Sequence, residues 1–213
     1  MDMNRAIRVS SSTIGAYAGL LGVVHGCFEL MQGNVAPIGI VISAIGAPCQ
    51  RDIVWHACLP AMTVIPNFIA TGTITIIASL STLVWAAAFI QRKNGGLILL
   101  LLSIIMLLVG GGFIPSYTGI IAGIVGGRIN TGLPIGRTRL PADGWSFLAK
   151  LWPWTLAAFL LWSVGGWILG YFFNQAMIDL SLVSFLGGNL GLPLLTVFTA
   201  CASDIYRSSL GEK

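Results

Sequence analysis

Six long apolar runs, set apart by short segments that carry nearly all the charge, leave this chain one solvent in which to fold. Only 8% of its 213 residues are Asp, Glu, Lys or Arg, and 56% are hydrophobic. A soluble domain carries roughly 25% charged residues. So few charges cannot cover a water-soluble fold of this size, and lipid is the expected solvent. A helical span takes about 20 apolar residues. The runs lie at residues 12–32, 62–90, 97–113, 114–130, 152–173 and 181–203, the third and fourth being short. Hydrocarbon requires every backbone polar group to be satisfied within the protein, which restricts spans to helices and closed barrels. The apolar-polar alternation of barrel strands is missing. The predicted fold is an all-α integral membrane protein, a compact bundle of six transmembrane helices in one domain.

The charges orient that bundle. Arg5, Arg8, Arg92, Lys93, Arg128, Arg137, Arg139, Lys150, Arg207 and Lys213 flank one face, and Arg51 alone lies opposite. An excess of Lys and Arg in short loops marks the cytoplasmic side. Both termini are therefore expected inside, in a membrane such as the prokaryotic cytoplasmic one. The net charge of +4 follows from this bias and implies no nucleic-acid partner; the bilayer itself is the expected one. Val24-His25-Gly26-Cys27 only faintly resembles a leader-cleavage box, and a retained first helix is expected.

Small residues recur at helical spacing: Gly15, Gly19, Gly22 and Gly26 in the first run, Gly119, Gly123 and Gly127 in the fourth. Such stripes let helix backbones approach closely, here predicted to serve packing within one chain rather than a homo-oligomer. Val64-Ile65-Pro66-Asn67-Phe68 and Phe113-Ile114-Pro115-Ser116-Tyr117 each place Pro at an expected helix start. They mark either a repeated hairpin or shared helix-start chemistry. Between the fourth and fifth runs, Asp143 is positioned to cap a short interfacial helix ahead of the fifth span. Arg128, Arg137, Arg139 and Lys150 would then face anionic lipid headgroups.

The segment 33–61 is the long connection on the outer side. Its apolar stretch 38–45 is too short to span and reads as a re-entrant or interfacial segment. Cys49 and Cys58 follow, nine positions apart on an oxidising face, and are expected to form a disulfide. No Cys-x-x-Cys pair is present, which disfavours thiol exchange. Cys27 and Cys201 fall within spans and read as packing residues.

Unusual polar groups also gather on the outer half. His25 and Glu29 are four apart and share a helix face, with Gln32 and Asn34 continuing it outward. An ionisable group inside a span costs roughly 2.5–3.5 kcal/mol on insertion scales, so Glu29 should face protein or water. His56, Asn67 and Asn189 enter from the same side, the last within Gly187-Gly188-Asn189-Leu190-Gly191-Leu192-Pro193, where a helix break is expected. Together these residues are predicted to line an outward-facing cavity. A metal site on His25, Glu29 and His56 is a poor match to zinc spacing, and neither metal nor cofactor is expected. No nucleophile elbow or phosphate-cradling Gly-Lys motif occurs. Three functions follow. The first is a small transporter or channel-like permease, with Glu29 binding a cation or proton beside His25 and Asn67 and Asn189 orienting solute. The second is a non-catalytic subunit beside a membrane-protein partner, and the third an intramembrane lipid-acting enzyme.

Overall fold

The computed structural model describes residues 4–44, 53–56, 58–131 and 142–210, the side chains of Ala142 and Asp143 excepted. In chain order it runs α1 (Arg5–Met31), β1 (Val41–Ser43), β2 (Pro60–Met62), α2 (Phe68–Phe89), α3 (Gly95–Leu108), α4 (Phe113–Gly126), α5 (Ala142–Phe172), α6 (Asn174–Asp179) and α7 (Ser181–Ser209). Four of these helices, α1, α2, α5 and α7, are long and apolar enough to cross a membrane. Helices α3 and α4 have 14 residues each. At 1.5 Å per residue that is about 21 Å, short of the roughly 30 Å hydrocarbon layer.

Hydrogen bonds define the two ends of the bundle. At the basic end, Asn4 Nδ2 donates to the carbonyls of Arg128 (2.7 Å) and Thr131 (3.0 Å), and Asn130 Nδ2 to that of Gln91 (2.9 Å). The Asp204 carboxylate of α7 accepts from Ala6 N (3.1 Å) and Ile7 N (2.8 Å). The last helix thereby supplies the N-terminal cap of the first, a favourable place for negative charge. At the opposite end, Gln32 Nε2 donates to the carbonyls of Ser43 and Ala44, and Asn67 Nδ2 to Asn34 Oδ1 (2.6 Å). The cap on α1 explains why the helix starts at Arg5, well before the apolar run.

Close packing rests on the glycine stripes, inside one chain. A Cβ at Gly19 would meet backbone of Ser79 and Leu83, one at Gly26 the Gly72 carbonyl, and one at Gly123 the Leu100 backbone. Opposite α1, α2 buries Thr71, Thr75, Ser79 and Thr82. Tyr17 of α1 meets Phe159 of α5 edge-on, with ring centroids 5.5 Å apart. Thr155 and Thr199 join α5 to α7 through a 2.7 Å hydroxyl pair.

Several elements differ from expectation. The apolar stretch after α1 contains a strand, Val41–Ser43, paired antiparallel with Pro60–Met62, so that Ile42 opposes Ala61. Its β-branched residues favour extended backbone, and Ile38 (98% exposed) and Ile40 (63%) point away from the protein. Asn67 caps α2 by accepting from Ala70 N, which leaves Pro66 outside the helix, whereas Pro115 lies within α4. The two Pro motifs therefore sit at different positions relative to their helix starts. Among the described residues, α5 runs unbroken from Ala142 with Pro153 inside it, so Asp143 lies within this long helix instead of capping a separate short one. The expected break near Asn189 is a widening, because residues Ser184–Gly191 take π-helical turns.

Asp204→Ala removes both acceptors at the start of α1. It should lower unfolding stability in detergent by about 2 kcal/mol, with Asp204→Asn, which keeps one acceptor, losing less.

Candidate functional site

The tip of the α3–α4 hairpin meets α1 at His25 and Glu29. Gly110 (φ +115°) and Gly112 (φ +83°) are left-handed, a conformation glycine adopts at little cost. A Cβ at Gly110 would overlap the Glu29 carboxylate, and one at Gly112 the His25 ring. The tip is held by the stretch leading from β2: Val64 N donates to the Leu108 carbonyl (3.1 Å), and Thr63 bridges to Val109.

Glu29 is fully buried. Its Oε2 lies 3.3 Å from Thr75 Oγ1, while Oε1 has no partner among the described residues. Thr75 Oγ1 also donates to the Val109 carbonyl. One hydroxyl carries one hydrogen. The Glu29 carboxyl and the Val109 carbonyl therefore share that one hydrogen as acceptors, and the Glu29 Oε1 atom gains nothing from it.

His25 is 5% exposed and its Nδ1 has no hydrogen-bond partner among the described residues. Its ring lines a cavity of about 470 Å³ together with Tyr17, His56, Trp167, Ser184 and Asn189, the remaining wall being mostly aliphatic. Asn174 Oδ1 accepts from Trp55 N (2.8 Å) and its Nδ2 donates to the Ile53 carbonyl (2.7 Å), fastening the roof of the cavity to the α5–α6 junction. The Trp55 and His56 rings lie 3.5 Å apart, with His56 5.1 Å from Trp167. Gly170 makes room for Trp55, since any Cβ there would strike its ring. Burial pushes the His56 imidazole down from its ordinary 6.5 to about 4.

On the far wall, Trp162 Nε1 donates to Asn189 Oδ1 (3.3 Å). The Asn189 Nδ2 hydrogens have no partner within the described chain. Pro193 has no N–H to give, and Leu192 N reaches back five residues to the Gly187 carbonyl. The widened turns that result carry Asn189 to the cavity. Such π segments recur at functional sites.

The residues expected in one cavity thus divide into three sets. His25, His56 and Asn189 line it. Glu29 sits one turn beyond His25, in the enclosed cluster with Thr75. Gln32, Asn34 and Asn67 tie loops and cap α2 instead. Cys49, Arg51, Asp52, Arg137 and Arg139 lie outside the described residues. Cys27 and Cys201 are free thiols, Cys58 is buried with φ 62°, and Arg128 and Lys150 are exposed. No group of three His, Cys, Asp or Glu side chains converges among the described residues. Sequence reasoning missed Thr75, Gly110, Gly112, Asn174 and Trp167. The spacing of Thr71, Thr75, Ser79 and Thr82 was a signal that one face of α2 is polar.

Compared with protein-family models, with curated proteins and with solved structures, the chain matches none.

Gly110→Ala combines a positive φ with overlap on Glu29 and should cost about 2 kcal/mol or more in unfolding experiments. For His56 the folded state binds its proton less readily than the unfolded one. The roof should therefore be fully stable above pH 6.5 and weaken as pH falls toward 4. Tryptophan emission should shift over that interval, and His56→Phe should remove the shift.

Proposed function

We propose that this chain is a small membrane carrier whose substrate site is the cavity bounded by His25, His56 and Asn189. The observation that carries this reading is that cavity itself. Three polar side chains from distant parts of the chain meet there among apolar walls, and the buried Nδ1 of His25 lacks a partner. Ligand sites are commonly apolar pockets of about 300–1,000 Å³ with a few convergent polar groups. The fitting solute is an apolar molecule with one hydrogen-bonding head: the head meets His25 and Asn189, and the body lies against Tyr17 and Trp167.

Glu29 carries the exchangeable proton in this reading. It is next to the solute site but outside it, so proton and solute occupy separate places joined through the Gly110–Gly112 turn. The chain crosses the membrane four times as one domain, through α1, α2, α5 and α7, with α3 and α4 forming a short hairpin inserted from the basic, cytoplasmic end. The exposed Ile38, Ile40 and Val41 then rest in the outer interface.

The test is a binding screen read by quenching of the cavity tryptophans, using fatty alcohols, fatty acids and alkylphenols as probes. A saturable signal should weaken by about tenfold in His25→Ala or Asn189→Ala, the loss of one hydrogen bond in a desolvated site. In proteoliposomes, Glu29→Gln should keep counterflow and abolish accumulation driven by a pH gradient. Binding indifferent to both cavity substitutions would sink the assignment, and unchanged accumulation would remove Glu29 from it.

A further inference from the structure

We propose that a second pocket, at the basic end of the bundle, is a binding site for a phosphate-bearing anion such as an acidic phospholipid headgroup. The pocket has a volume of about 300 Å³ and lies between the first turns of α1 and the end of α2. Arg8, Ser12, Thr13 and Gln91 form its polar side, and Val9, Ala87 and Ile90 its apolar side. It is separate from the cavity at His25, and nothing in its assignment rests on the carrier reading.

Arg8 is the reason to expect a ligand. Its side chain is half-buried, and its Nε is enclosed with no hydrogen-bond partner among the described residues. An enclosed N–H without an acceptor is costly. Among the described residues, the Asp204 carboxylate engages Ala6 N and Ile7 N with its two oxygens and does not pair with Arg8 Nε. A bound anion would supply the acceptor that this N–H lacks. A planar guanidinium fork matches phosphate oxygens in geometry as well as charge.

The hydroxyls beside it are not taken up by their own helix, as many in the bundle are. Thr73, Ser81, Thr82, Ser103, Ser163 and Thr199 each donate back to the carbonyl four residues earlier. Ser12 and Thr13 make no such bond and have no partner among the described residues. They add donors for anion oxygens one turn along α1 from Arg8. The room comes from α2, which leaves α-helical geometry for π turns at Trp85–Phe89 and presents the small side chain of Ala87 to the pocket. An amphipathic pocket with one cation, two hydroxyls and an aliphatic wall suits a headgroup phosphate with the first carbons of its lipid. Basic pockets between transmembrane helices are known to hold such headgroups.

The experiment is native mass spectrometry of the full chain, released from mixed vesicles of phosphatidylglycerol and phosphatidylcholine, with a parallel titration of inorganic phosphate in detergent. Wild-type protein should retain phosphatidylglycerol over phosphatidylcholine. Arg8→Ala should reduce that retention about tenfold or more, and Arg8→Lys by less. Arg8-dependent binding of inorganic phosphate without preference between the lipids would keep the anion site and assign it to a free phosphate compound. Equal phosphatidylglycerol retention by wild type and a folded Arg8→Ala protein would overturn the proposal. Should Arg8→Ala not fold, the double variant Ser12→Ala, Thr13→Val decides: wild-type retention overturns the site, and weakened retention supports it.

Discussion

At the tip of the α3–α4 hairpin the chain leaves helical geometry at the level of His25 and Glu29, short of the end of α1. Hydrocarbon offers no hydrogen bonds to an irregular backbone, which is tolerated at such depth only when covered by protein or lining a cavity. Here the stretch after β2 covers the tip, through Val64 N on the Leu108 carbonyl and Thr63 beside Val109. That cover also positions Val109 to accept from Thr75, and so sets the surroundings of Glu29. The polar cluster is thus a product of a hairpin that turns at the level of Glu29, short of the end of α1.

The same requirement explains the pairing of α1 with α2. Glycines on α1 remove side chains from the contact, and α2 answers with Thr71, Thr75, Ser79 and Thr82, small enough to allow the approach. Ser79 Oγ and Ser116 Oγ lack partners, while the hydroxyls of Thr82 and Ser103 bond their own helices. Dispersion between closely placed backbones holds such an interface in lipid, where burial from water contributes little.

Apolar run length revealed the helical class and the neighbourhood of the four long apolar helices, and helix spacing placed His25 and Glu29 on one face of the first. They could not reveal which polar residues meet. Gln32, Asn34 and Asn67 share an end of the bundle with His25, and a one-dimensional reading cannot separate an amide that caps a helix from one that meets a solute. The strands were hidden because a three-residue pair leaves too little alternation to detect. The Gly187–Pro193 stretch did look irregular. Whether a helix breaks or widens there depends on neighbours such as Trp162, which only folding brings beside Asn189.

The tie between Asp204 and the first turn of α1 has a consequence for the order of events during synthesis. α1 is made first, and its opening amides wait for a carboxylate that emerges almost two hundred residues later. Until then α1 can pack on α2 through its glycines but lacks its cap. Insertion of the last helix therefore closes the bundle, and a ribosome stalled before Asp204 would hold a protein whose core helix is placed but not yet secured.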